Sequence, residues 1–148
     1  MSKTIDSDKF ELTLKDILND LGKRTSERTP EVIHAGIKKT ASYWRRNARI
    51  IWGEKTGKTY KKNGKEYQVG KYSRSIRSHM LDDSPGNAVG EIGAPNMPGL
   101  PHLLEKGHAR IGGGRVNGIE HIWPATVEGF DYTMELAKNM LDEVIRES

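Results

Sequence analysis

Apolar residues return every three to four positions in three stretches of the chain and alternate with polar ones in others. Within residues 10–21, Leu14, Ile17, Leu18 and Leu21 have helical spacing. Gly22 reads as a stop and the polar stretch "GKRTSERTP" as a connector, so residues 1–28 are expected to form an N-terminal helix and linker. Thr29 then reads as an N-cap, with Pro30 at the first helical position and Glu31 beside the positive helix end. A long helix is predicted over about 30–51. Ile33, Ile37, Ala41, Trp44, Ala48 and Ile51 form its stripe, with Trp44 as a core anchor.

Residues 58–69 carry Asn63-Gly64, a two-residue hairpin signal. Counting outward pairs Lys62 with Lys65, Lys61 with Glu66, and Tyr60 with Tyr67. An isolated hairpin is marginal, so this one reads either as a projecting arm or as an edge of the main sheet. Residues 72–81 and 88–95, separated by the turn "DDSPGN", read as an antiparallel pair. Residues 98–107 read as a short helical turn, and 118–125 as a strand after the glycine-rich loop. A last helix is predicted from about Thr126 to Arg146. Phe130, Met134, Ala137, Leu141 and Val144 form its apolar stripe, widened by Met140 and Ile145. Its other face is acidic. The expected fold is a single α+β domain over 1–148. A small antiparallel sheet is packed by the long helix of the first half and the C-terminal helix, with a basic β-hairpin arm and a Gly-rich loop.

Composition narrows the class. The chain is polar, with 34% hydrophobic and 30% charged residues, and such a chain suits burial against neighbouring subunits. The absence of cysteine rules out disulfides and thiolate metal sites. No apolar run approaches the ~18–20 residues of a membrane span, and "MSKTIDSDKFEL" lacks a signal-peptide apolar region, so a soluble cytoplasmic product is expected. Net charge is uneven. Residues 38–77 hold thirteen Lys or Arg against two Glu, or +11, while the rest holds eleven basic and eighteen acidic residues, or −7. That asymmetry suits nucleic acid or the opposite face of a neighbouring copy.

The stretch "PHLLEKGHARIGGGRVNGIEHIWP", 101–124, concentrates candidate chemistry, with three of the five histidines. Its glycines lack the Lys-Ser/Thr and following helix of a phosphate loop. His102, His108 and His121 match no common zinc spacing. Glu105 and His108, three apart, form a possible acid–base pair interrupted by Gly107. With His121 they would centre a small hydrolase or nuclease, but no nucleophile elbow or clustered carboxylates support it. No cofactor is expected. A nucleic-acid module would use Lys38, Arg45, Arg46, Arg49 and the hairpin lysines, without any helix-turn-helix or zinc-finger pattern. Three consecutive glycines suit a loop that moves or fits closely against a neighbour.

Taken in order, "GKYSRSI" at 70–76, "HLLEKGH" at 102–108, the Gly/Arg-rich loop, "WPA" at 123–125 and the helix after Thr126 carry a resemblance. Over roughly 30–145 the chain resembles the head–tail joining or tail-completion (minor neck) proteins of long-tailed bacteriophages. The resemblance implies a non-catalytic virion protein, assembled in the host cytoplasm, that forms rings, commonly six-fold, at the head-proximal end of the tail. Its partners would be its own copies, the tail-tube protein and the head-connector or head-closure protein, with genome DNA passing through the centre. It implies that Gly70, Tyr72, Ser75, Ile76 and Pro124 are structural. The loop of Arg110, Gly112, Gly113, Gly114 and Arg115, entered through Glu105 and Gly107, would be an assembly contact. Two departures stand out: the basic hairpin separates Thr56-Gly57 from Gly70, and Tyr72 occupies a usually aliphatic position. The hairpin residues Tyr60, Lys61, Lys62, Lys65 and Tyr67 form a second candidate contact.

Overall fold

In a computed structural model of the chain, Pro30 does not begin a helix but sits inside one, α1, which runs unbroken from Ser7 to Trp52. The structure describes residues 7–52, 59–68 and 71–147, with backbone alone for 7–14, 59, 60, 62, 65–68 and 71. The expected stop at Gly22, the connector and the N-cap at Thr29 are therefore corrected. Thr25 and Thr29 turn their hydroxyls back to the carbonyls of Leu21 and Thr25, at 2.7 and 3.0 Å. Proline has no N–H for the carbonyl four residues earlier, that of Ser26. That carbonyl instead accepts the backbone N–H of Gly86, at 3.0 Å. A tertiary donor thus replaces the missing helical one.

The basic hairpin forms as expected. β1 (Thr59–Lys62) and β2 (Lys65–Gln68) are antiparallel, pairing Tyr60 with Tyr67, Lys61 with Glu66 and Lys62 with Lys65. Asn63 and Gly64 both take positive φ at the turn, 51° and 73°. Gly70, Thr56, Gly57 and the side chains of Tyr60, Lys62, Lys65 and Tyr67 lie outside the described residues.

A short helix, α2 (Lys71–Ser75), takes the start of the segment read as a strand. The strand proper, β3 (Arg77–Asp82), pairs antiparallel with β4 (Val89–Gly93), with a bulge between Met80 and Asp82. This pair lies along α1: Gly90 sits on Ile37 with room for no side chain, and Arg45 donates to the Ile76 carbonyl at 2.9 Å. α3 (Leu100–Lys106) follows, with a proline in its first turn. β5 (Gly107–Ala109) and β6 (Arg115–Asn117) then form a third hairpin. The strands thus make three separate two-stranded ladders rather than one sheet.

α4 runs from Ile122 to Arg146. It begins four residues before the expected start, so 118–125 is not a strand. α4 lies antiparallel on α1. Arg24 donates to the Glu147 carbonyl at 3.0 Å, Arg28 pairs with Glu143 at 2.6 Å, Arg46 pairs with Glu128, and Trp44 Nε1 donates to Thr126 at 3.2 Å. Two small-residue contacts bring the axes close. Thr133 packs on Gly36, and Thr40 packs on Gly129, so close that neither glycine has room for a Cβ. Each threonine also bonds back to the glycine carbonyl of its own helix, at 2.8 Å for Thr40 and 2.7 Å for Thr133.

The core has two parts. Ala41, Ala48, Tyr72, Ile76 and Ala94 form one, with Trp44 and Trp52 against it. Val32, Met140 and Val144 form the other, packed by Leu21 and Leu136. Full burial of a side chain such as Val144 contributes about 1.5–3 kcal/mol. The α1 stripe faces inward much as its spacing predicted. The α4 stripe does so only in part: Met140 and Val144 are buried, while Phe130, Met134, Leu141 and Ile145 are exposed.

Candidate functional site

α4 meets α1 through its small-residue edge, with Ala125, Gly129, Met140 and Val144 buried. This rotates the larger apolar side chains outward. Phe130 is 63% exposed, Met134 54% and Ile145 61%, with Trp123, Val127 and Leu141 also open on the same side. The stripe expected to be core is therefore in part a surface. Threonine and glycine at 36, 40, 129 and 133 allow the close approach. A helix seated on its bulkier residues would stand farther from α1.

Below that surface lies an apolar slot of about 590 Å³. Ile33 and Ile37 of α1 line its floor, and Phe130, Met134 and Leu141 of α4 and Ile92 of β4 line its walls. A smaller cavity of about 430 Å³ sits over Trp44 between β4, α3 and the start of α4, with His102, Glu105 and Lys106 at its wall.

The stretch 101–124 resolves into two features. The first is buried. Glu105 on α3 accepts the backbone N–H groups of His121 (2.9 Å), Ile122 (2.8 Å) and Trp123 (3.1 Å). These are donors that a helix start leaves without partners. The carboxylate is thus an N-cap for α4 supplied from another helix, and its charge complements the positive helix end. Burial pushes its pKa up; the three N–H donors and His121 outweigh that and hold it below its ordinary value. His121 Nδ1 faces both Glu105 Oε2 at 2.9 Å and the Ile119 carbonyl at 3.1 Å. Two acceptors there place a ring proton on Nδ1, and Nε2 lies 2.6 Å from the Tyr72 hydroxyl. Trp52 closes edge-on against both rings.

The structure thus brings Glu105 and His121 together, with Glu105 at the wall of the 430 Å³ cavity and His121 behind it. His121 is fully buried, and both its ring nitrogens and both Glu105 oxygens are engaged within the fold. His108 is not part of the group; its Nδ1 is buried without a partner on β5. His102 is exposed on α3. Among the described residues, no three His, Asp or Glu side chains converge. Tyr72, Ser75 and Ile76 are buried as structural residues, and the unexpected tyrosine has a defined partner in His121. Pro124 is exposed in the first turn of α4, where no N–H partner is needed.

The second feature is the tip of the β5–β6 hairpin. Gly112, Gly113 and Gly114 all have positive φ, from 83° to 109°, and nothing in the chain crowds them. The turn is closed by the Arg110 N–H on the Gly114 carbonyl at 3.0 Å. Backbone sign, independent of motion, is a reason for glycine here. Ile111 is fully exposed between Arg110 and Arg115, which are also exposed, although Arg115 donates to the Lys106 carbonyl at 2.8 Å. Gly107 has positive φ and lies against the Val116 carbonyl, leaving no room for a side chain where the hairpin begins.

The basic side chains of α1 are partly spent inside the fold. Arg45 holds the Ile76 carbonyl, and Arg46 pairs with Glu128 and stacks on Tyr43. Lys38 and Arg49 are exposed. Sequence reasoning grouped Glu105 with His121 and His108, and missed that Tyr72, not His108, completes the group. It also missed the exposure of α4, for which the glycine and threonine at four-residue spacing on both helices was the available signal. Comparison of the chain with protein-family models, curated proteins and solved structures gave no match.

Proposed function

We propose that this chain is a structural virion protein that works by assembly. It forms a ring, commonly six-fold in the family it resembles, at the head-proximal end of a phage tail and joins that tail to the head connector. The observation that carries the reading is the exposed apolar face of α4, Trp123 through Ile145, above a 590 Å³ slot. A contiguous apolar face of this size on a small polar chain marks a protein–protein contact. The Ile111 tip between Arg110 and Arg115 supplies a second projecting contact, and the acidic side chains on the back of α4 give it an electrostatic counterpart on a neighbouring copy. Glu105, His121 and Tyr72 serve this reading as the staple that fixes where α4 starts, and hence which face it presents.

The test is the mass of the purified chain across concentration, alone and with tail-tube protein, followed by electron microscopy of the largest species. Rings of one stoichiometry support the proposal. A monomer under both conditions contradicts it. Under a nucleic-acid reading, the chain would instead shift random-sequence DNA with a steep salt dependence.

A further inference from the structure

α1 and α4 end at different places. The α4 C-terminus lies beside Arg24, whose guanidinium reaches the Glu147 carbonyl, while α1 continues back to Ser7. Fourteen residues, 7–20, therefore run past the packed body by about 21 Å at ~1.5 Å per residue. Residues 15–20 are exposed throughout, Ile17 and Leu18 included. A helical segment of this length is marginal in water without a partner.

We infer that this overhang of one copy lies in the slot between α4 and the β3–β4 pair of the next copy. The inference rests on the reading that the chain assembles with itself, and it names the contact. Both surfaces belong to the same chain, and Ile17 and Leu18 on one and the α4 stripe on the other are exposed. The overhang cannot fill its own slot. It is the straight continuation of the helix whose Ile33 and Ile37 form the slot floor, and it leads away from that floor without a turn. A second copy has no such restriction. The stripe from Trp123 to Ile145 extends about 33 Å along α4, long enough for the overhang. Ile17 and Leu18 then enter between Phe130 and Ile92 as a ridge into a groove.

The geometry of such a contact is heterologous: overhang on one copy, slot on the other. Repeated, it generates a closed ring or an open helix rather than a two-fold dimer. A stripe-on-stripe dimer would cover α4 and leave the overhang bare.

The chain has no cysteine, so engineered thiols report cleanly. Leu18→Cys is mixed with a separate variant, Phe130→Cys, Met134→Cys or Leu141→Cys, under conditions where the unmodified chain forms oligomers, and then oxidised with diamide. A mixed disulfide between Leu18→Cys and at least one stripe variant is expected, since bridging requires Cα atoms within about 7 Å. Leu18→Asp, at an exposed position, is expected to give a monomer that circular dichroism shows still folded. Oligomers that yield no mixed disulfide, or a Leu18→Asp variant that still assembles, overturn this contact and leave self-assembly standing. Stripe variants that cross-link only to themselves overturn it in favour of a two-fold dimer. Failure of the unmodified chain to associate, both alone up to its solubility limit and with tail-tube protein, removes both the contact and the assembly reading.

Discussion

The carboxylate of Glu105 accepts the backbone N–H of His121 and lies 2.9 Å from that residue's ring Nδ1. One side chain on α3 thereby fixes both the first turn of α4 and the orientation of a buried imidazole. The imidazole in turn holds Tyr72. Replacing Glu105 by alanine leaves three backbone donors and Nδ1 short of an acceptor. The expected cost is about 2–3 kcal/mol, the range for buried charged hydrogen bonds. Urea unfolding of Glu105→Ala checks it, and Glu105→Gln should lose less because one carbonyl oxygen remains.

The same carboxylate gives stability a pH dependence. Its folded pKa is depressed below the ordinary 4.5, so its contribution is fully present above that value. The contribution is lost as pH falls through the folded value. The stability difference between the wild type and Glu105→Gln should therefore shrink as pH falls below the ordinary carboxylate value and through the depressed folded one. Glu128 and Asp82, also depressed, are common to both proteins and cancel. A difference that stays constant across that range would contradict the capping role.

Tyr72→Phe removes the hydroxyl that satisfies His121 Nε2 and leaves a buried ring nitrogen unpaired. The expected loss is about 1–2 kcal/mol. A double-mutant cycle with His121→Leu should give a coupling energy on the order of 1 kcal/mol; no coupling would mean the 2.6 Å contact contributes nothing.

Thr40 and Gly129 fit against one another with no space for a methyl group. Helix propensity alone would make Gly129→Ala stabilising by about 1 kcal/mol. Overpacking reverses the sign, and a loss of about 1–3 kcal/mol is expected. Adding Thr40→Ala should recover part of it, which thermal unfolding of the pair would reveal.

Much of the fold could be read locally. Asn63-Gly64 specified the register of β1 and β2, because the turn and the opposed pairs depend on adjacent residues. The alternation within 72–81 and 88–95 marked β3 and β4, and the stripe over 33–51 marked the buried face of α1. What could not be read depended on distant partners. α1 continues through Pro30 because Gly86, 60 residues later in order past Ser26, supplies the missing donor to the Ser26 carbonyl. α4 starts at Ile122 because its cap is Glu105, on another helix. The outward turn of Phe130 and Met134 follows from contacts between two helices far apart in sequence. Periodicity gives the existence of an apolar face but not which part of it the rest of the chain covers.

The face of α4 is where the functional reading stands or falls. The most direct measurement is the mass distribution of the wild type beside Phe130→Asp/Met134→Asp, followed across concentration by sedimentation, with circular dichroism to confirm that both are folded. The account predicts a closed oligomer of one size for the wild type and a folded monomer for the double variant. A wild type that stays monomeric both alone and with tail-tube protein, or a double variant that assembles as well as the wild type, would contradict it.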